Sequence, residues 1–214
     1  MNRFERIPLF PLGVVLLPEM MLPLHIFEER YKAMIGECLK QKREFGIVYY
    51  DGSEIKSSGC MASIVRVTRR YANGRLDIIC RGQRRFHIEN IHEDNTYLEA
   101  DVIFFEDQDL DPSLIQEGIL DKARELIDTI VKLTQRSASA LSPTLENPYV
   151  LSFLIAGIET FSAEEKQEFL EMDSTTERLE KGVKALEKTI ERIKINSEIR
   201  KIIEGNGHLP ELLK

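Results

Sequence analysis

The sequence predicts an α+β fold, a β-rich first half followed by a helical second half. Three observations carry this. Before residue 110, short β-like runs alternate with turn signals. Among them, Asn73-Gly74 separates two β-rich runs, the strongest short hairpin signal, because both turn residues tolerate positive φ. After residue 110, apolar residues recur every three to four positions and serine-led capping boxes open helices. The junction Glu106-Asp107-Gln108-Asp109-Leu110-Asp111-Pro112 is acidic. Asp111 is placed to cap the next helix and Pro112 to fill its first position. The chain therefore divides into residues 1–110 and 111–214.

The first half opens with Ile7-Pro8-Leu9-Phe10-Pro11, where two prolines argue against a central strand. Val14 to Leu17 reads as a short buried strand stopped by Pro18. Phe27, Tyr31, Met34, Ile35, Cys38 and Leu39 form one apolar face of a helix from about Glu28 to Lys42. Phe45 to Tyr50 is a strand ended by Asp51-Gly52. The hairpin joins Met61–Tyr71 to Arg75–Cys80. Strict alternation puts Ile64, Arg66, Thr68 and Arg70 on one face and Ser63, Val65, Val67 and Arg69 on the other. Arg81-Gly82-Gln83 reads as a second turn, followed by strands carrying Phe86 and Ile88, then Leu98, Ala100, Val102 and Phe104.

In the second half, Ile115, Ile119, Leu126, Ile127, Ile130 and Val131 mark a helix from about Pro112 to Gln135. Ser137 to Thr144 is a loop, and Asn147-Pro148 restarts a helix with Leu151, Leu154, Ile155 and Ile158. Ser162–Glu165 and Ser174–Glu177 read as capping boxes. The last helix carries the stripe Leu179, Val183, Leu186, Ile190, Ile193 and stops near Gly205-Asn206-Gly207. That stripe lasts about two heptads, short of a coiled coil, so it is expected to pack on the domain's own helices.

With 214 residues, 43% hydrophobic and 30% charged, the chain is globular in composition. Its net charge of −7 argues against bulk nucleic-acid binding through total charge. Three Cys without a Cys-x-x-Cys exclude a disulfide scaffold; Cys38, Cys60 and Cys80 are expected as reduced core residues. The apolar stretch Gly13–Leu24 is interrupted by Pro18, Glu19 and Pro23, so neither a membrane span nor a secretory signal is expected. The expectation is a cytoplasmic protein.

No chemistry stands out. There is no phosphate-binding Gly-x-x-x-x-Gly-Lys string, and Gly-x-Gly occurs only at 205–207, after a helix. There is no Gly-x-Ser-x-Gly elbow. His87 and His92 lack a companion set for a metal, and His25 reads as packed or capping. Carboxylates such as Glu177 and Glu180 have lysine partners four residues on, at Lys181 and Lys184. We expect no catalytic residue, metal or cofactor.

One charge pattern is less bland. Arg66, Arg69, Arg70, Arg75, Arg81, Arg84 and Arg85 are opposed locally only by Asp77, whereas residues 111–214 net −5. Arginine forks suit phosphate or carboxylate recognition, so Arg66, Arg69, Arg70, Arg84 and Arg85 form a candidate anion or RNA surface. The competing reading is a soluble hairpin paired with the acidic helical half.

The order of features resembles the N-terminal domain of the ATP-dependent Lon proteases. The resemblance rests on Ile7-Pro8-Leu9-Phe10-Pro11-Leu12, on Leu17-Pro18-Glu19 through Phe27-Glu28-Glu29-Arg30-Tyr31, and on Phe45-Gly46-Ile47-Val48. It continues through Gly59-Cys60-Met61-Ala62, Gly82-Gln83-Arg84-Arg85-Phe86, Glu165-Lys166-Gln167 and Thr176-Glu177-Arg178-Leu179, and covers about residues 7–195. It implies a β-rich, PUA-like lobe, a helical lobe, and recognition of protein substrates without catalysis. The ATPase and protease modules of Lon have no counterpart in these 214 residues.

The leading expectation is a non-enzymatic domain that engages unfolded polypeptides, or a protease partner through its helices. Met20, Met21 and Leu22 are the candidate contacts, because methionine is flexible and polarizable. The same residues serve equally well as a plug between the two halves. RNA binding through the arginines is the alternative.

Overall fold

A computed structural model of the protein describes residues 4–108, 117–134, 146–158 and 161–206. Six strands form one mixed sheet: β1 (Glu5–Leu12), β2 (Met21–Ile26), β3 (Phe45–Tyr50), β4 (Ile55–Arg70), β5 (Leu76–His92) and β6 (Glu99–Phe105). The described helices are α1 (Glu29–Gln41), α2 (Glu117–Thr134), α3 (Pro148–Ala156), α4 (Ala163–Glu171) and α5 (Thr175–Asn206).

The strand order is β2-β5-β4-β3-β1-β6, and β5 pairs again with β6. Five strands thereby close into a ring. β5 makes this work by its length of 17 residues. Its first part pairs with β2 and its second part with β6. Inside the ring, Ile7, Leu9, Val48, Met61, Phe86, Ala100 and Val102 form a buried apolar cluster. Gly59 leaves room for the Phe86 ring; a Cβ there would lie 2.5 Å from the ring edge.

The prolines of β1 do not keep it out of the sheet, contrary to the sequence expectation. β1 pairs antiparallel with β6 over Glu5–Pro8 and parallel with β3 over Leu9–Leu12. Leu9 N–H bonds Leu98 O at 2.8 Å, on the β6 side. By alternation, the Pro11 nitrogen also faces the β6 side, past the end of that pairing. The Pro8 nitrogen faces β3 just before that pairing begins. Each proline sits where its neighbour makes no demand on an N–H.

Two other expectations are corrected. Val14–Leu17 is a loop, with Leu16 and Leu17 buried, and the strand lies further on, at β2. Arg81-Gly82-Gln83 is no turn: β5 runs through it, and the register shift opposite Cys60–Ala62 absorbs the irregularity as a bulge. Gly82 is required there for another reason. A Cβ on it would collide with the Leu17 carbonyl oxygen where the loop crosses.

The helical elements follow their sequence signals. Asn147 caps α3 by accepting from Val150 N–H at 3.2 Å. Ser162 and Glu165 form a reciprocal capping box on α4, and Ser174 Oγ accepts from Glu177 N–H at 3.1 Å. On α5, Leu179, Val183, Leu186 and Ile190 are buried in a large cluster with Ala123, Ile127 and Ile130 of α2 and Leu151, Phe153 and Ile155 of α3. The expected cap at Asp111-Pro112 and the loop at Ser137–Thr144 lie outside the described residues.

What ties the helices to the sheet is a buried charge network. Arg85 of β5 and Arg178 of α5 have no exposed side-chain surface, and Asp107, just after β6, has almost none. Arg85 donates to Asp107 Oδ1 at 2.5 Å and Arg178 to the same oxygen at 3.0 Å. Arg178 and the Thr175 hydroxyl both donate to Asp107 Oδ2. Two guanidiniums against one carboxylate leave an excess positive charge. Carbonyls at the C-terminal end of α4 offset it: Leu170 O and Met172 O accept from Arg85 at 3.0 and 2.5 Å, and Met172 O from Arg178 at 2.7 Å. Ser152 Oγ accepts from Arg178 Nε at 2.9 Å, and Phe153 lies 4.0 Å from the same guanidinium.

Burial pushes the Asp107 carboxyl up, but the hydrogen bonds of Arg178 and Thr175 and the two positive charges outweigh it. Its pKa therefore lies below the ordinary carboxylate value. A depressed native pKa adds stability above the unfolded value of about 4, and that stability is lost as pH falls through the native value. Stability measured by urea titration is expected to decline below about pH 4. Asp107→Asn is expected to cost about 3–5 kcal/mol by urea unfolding, because two buried guanidiniums lose their counter-charge. Removal of the exposed Lys181–Glu168 pair by Glu168→Gln is expected to cost under about 1 kcal/mol.

Candidate functional site

The segment entering β2 is a tight turn. Met20 N–H bonds Leu17 O at 3.2 Å, with Pro18 at the second position and Glu19 at the third, where φ is 65°. This is a type II turn with glutamate where glycine is usual. Glu19 N–H bonds Gly82 O and Gly82 N–H bonds Met20 O, each at 2.9 Å. Glu19 also pairs with Arg81. The turn is thus fastened to β5, and it delivers β2 in register with Met21 opposite Arg81.

β2 then alternates. Leu22, Leu24 and Ile26 turn to the core, while Met21, Pro23 and His25 are exposed. On β5, Cys80, Ile78 and Leu76 face inward, so Arg81, Ile79 and Asp77 share the outer face with Met21, Pro23 and His25.

β4 completes this face in a way that strict alternation misses. Register shifts at Ile64/Arg66 and Val67/Arg69 insert bulges at Val65 and Thr68. Ser63, Arg66 and Arg69 pair with Arg81, Ile79 and Asp77 and lie outward; Ile64, Val67 and Arg70 pair with Cys80, Ile78 and Leu76 and lie on the other side. The period is three residues, not two, so the expected face assignment of Arg66 and Arg70 together is corrected. The outer face has an apolar middle of Met21, Pro23, Ile79 and Val65, with Met21 and Val65 each 51% exposed. Arg66, Arg69 and Arg81 border it.

At one end of the face, His25 Nδ1 and Asp77 Oδ1 are 2.5 Å apart, and the Tyr71 hydroxyl donates to Asp77 Oδ2 at 2.8 Å. Arg69 lies 4.7 Å above the Tyr71 ring. The hydrogen bonds from His25 and Tyr71 hold the Asp77 carboxyl below its ordinary range. This cluster clasps β2 to β5.

The candidate residues therefore part company. Met21, Arg66 and Arg69 share the outer face. Leu22 faces the core. Met20 packs under α3, where a Cβ on Gly157 would lie 2.6 Å from its methyl group. Arg70 lies on the opposite side of β4, and Arg84 stacks on Phe104 with its guanidinium 3.8 Å from the ring. Arg85 is in the buried network, so its charge is not available at the surface. Pro23, His25, Val65 and Ile79 belong to the face but were not candidates from the sequence. The alternation Met21-Leu22-Pro23-Leu24-His25-Ile26 was the signal for the first two.

Other groups offer little reactivity. Burial pushes the thiols up, Cys38 to about 11 and Cys60 and Cys80 each to about 12. Ser58 Oγ lies 2.9 Å from His87 Nδ1, but Ser58 is buried, His87 stacks on Phe105 and no carboxylate among the described residues bonds the imidazole. Among the described residues, no three His, Cys, Asp or Glu side chains converge to hold a metal, and no helix is long and apolar enough to cross a membrane.

The fold is thus a mixed sheet clamped to helices, with an exposed apolar and basic face. The family model of the substrate-binding domain of ATP-dependent protease La (Lon) matches residues 6–188, and the chain belongs to that family. It is similar to the Lon protease of Syntrophus aciditrophicus, 24% identical over 215 aligned positions that cover 94% of this chain and 27% of that protein. It is also 26% identical to the Lon protease of Methylocella silvestris, over 87% of this chain and 24% of that protein. The chain thus spans about a quarter of the length of the curated relatives it matches. Among solved structures, a Lon N-terminal domain protein from Xanthomonas campestris superposes with a TM-score of 0.67 at 23% identity, covering 83% of this chain and 96% of that one. The N-terminal domain of a Mycobacterium avium complex Lon protease superposes at 0.69 with 18% identity, covering 86% and 98%.

The split of the arginines has a direct check. Arg85→Glu is expected to abolish the cooperative thermal transition, since it puts a second carboxylate against Asp107. Arg66→Glu is expected to shift stability by no more than about 0.5 kcal/mol, as an exposed substitution.

Proposed function

We propose that this chain is a non-enzymatic polypeptide-binding domain that engages unfolded segments on the outer face of β2, β5 and β4. The observation that supports it is the exposure of Met21 beside Pro23, Ile79 and Val65, within a fold whose family is described as substrate-binding. Proteases take polypeptides as substrates, and the relatives are named Lon protease. Methionine adapts to varied apolar side chains, as a surface that meets many sequences requires. The surrounding arginines favour segments carrying acidic residues. A full-length protease is the proposed recipient of what is bound, and the three buried, reduced thiols fit a cytoplasmic site of action.

RNA binding is the second reading, favoured by Arg66 and Arg69 on the same face. It is weakened by the dispersal of the other arginines: Arg70 lies on the opposite side and Arg85 is buried.

Fluorescence anisotropy separates the two. An unfolded, reduced and carboxymethylated test protein is expected to bind at both low and high salt. A short RNA binding alone, with steep loss on adding salt, would replace this reading with the second. Met21→Ser is expected to weaken polypeptide binding by about tenfold without changing stability. Met20→Ser is expected instead to cost about 1–2 kcal/mol in stability, because Met20 packs under α3.

A further inference from the structure

β2 ends the strand order, and the direction of its backbone is set. Gly82 N–H bonds Met20 O, so the residues that follow at even numbers, Leu22, Leu24 and Ile26, direct their backbone groups to β5. Pro23, which has no N–H to give, falls on the other side, as an edge position allows. The N–H groups of Met21 and His25 and the carbonyls of Met21, Pro23 and His25 therefore line an outer edge. None of them bonds a turn, a loop or a side chain among the described residues.

We propose that an extended polypeptide segment adds to this edge as a seventh strand, so that recognition rests on main-chain hydrogen bonds with β2. This deepens the proposed polypeptide-binding function and rests on that reading. Edge pairing explains how one surface could accept many sequences: backbone groups are common to all of them, and side chains add only a preference. A bound strand brings every second side chain beside Met21, Pro23 and His25 on the exposed face. The exposed Phe27 just beyond β2 extends that apolar row.

Apolar contact sets the preference, because the charges beside β2 are already paired. Of the carboxylates on the face, Glu19 is engaged by Arg81, and Asp77 by His25 and Tyr71. Arg66 lies on β4, two strands in from this edge, and does not reach a strand added to β2. The occupant is therefore an extended segment with apolar residues at alternate positions, matching Met21, Pro23 and Phe27. Pro23 sets a limit on the pairing. It accepts a hydrogen bond from the bound strand but donates none, so the incoming strand supplies more donors than acceptors.

The test uses the full chain and a labelled peptide of about eight residues, long enough for one strand, with alternating valine and threonine. Two further peptides carry N-methyl groups on alternate amides, one on the odd set and one on the even set. Only one set faces β2. One methylated peptide is expected to lose at least about tenfold in affinity and the other to bind like the parent. Equal binding by all three peptides would overturn edge pairing. If the carboxymethylated test protein still binds in that case, the polypeptide reading stands and only the edge assignment falls. If neither that protein nor the parent peptide binds, both fall. A dimer that forms with concentration and that the parent peptide fails to dissociate would give the edge to a second copy of the chain and overturn the proposal.

Discussion

The placement of the helices against the sheet depends on one buried carboxylate. Asp107 lies between Arg85 of β5 and Arg178 of α5, and each guanidinium reaches on to carbonyls at the end of α4. Such a cluster is costly to desolvate, so it contributes more to geometry than to net stability. Its geometry is demanding. The segment after β6, the end of α4 and the start of α5 must meet at one point, or a charge is left buried without a partner. Phe153 and Phe105 close the cluster with their ring faces toward the guanidiniums. The Thr-Glu-Arg-Leu and Gly-x-x-Arg-Phe strings that carry the family resemblance supply its two arginines. Those motifs are here a matter of architecture rather than of ligand contact.

The exposed face depends on irregularities in the sheet. Bulges at Val65 and Thr68 move Arg66 and Arg69 to one side and Arg70 to the other. The Leu17–Met20 turn, held to Gly82, sets the phase of β2 and so decides that Met21 is exposed and Leu22 is not. Glu19 holds a left-handed conformation in that turn, and its pairing with Arg81 accompanies that strain. A single-residue slip at either place would turn the apolar residues inward and bury the arginines.

Much of the fold was legible from local signals. The β1 prolines, however, suggested a break, because a proline has no N–H to offer to a ladder. Their acceptance depends on the neighbouring strand changing between Pro8 and Leu9, which is a property of the sheet and not of the segment. Gly82 looked like a turn, because glycine marks both turns and close approaches. Only the crossing of the Leu17 carbonyl shows which applies. The candidate site was half legible. Methionines and arginines are visible as residue types, but their sides are set by bulges that have no composition signature.

The sequence by itself determined the helix α1, the strand β3, the hairpin at Asn73-Gly74, the caps at Asn147 and Ser162 and the apolar stripe of α5. These rest on periodicity and on hydrogen bonds between residues a few positions apart, which local sequence controls. The tertiary structure decided that Arg85 is a buried anchor while Arg66 is exposed, that Met20 packs under α3 while Met21 faces outward, and that Asp107 is the counter-charge for both guanidiniums. Each of these depends on pairs of residues tens of positions apart in the chain. Burial and charge compensation are properties of such pairs, and no local pattern encodes them.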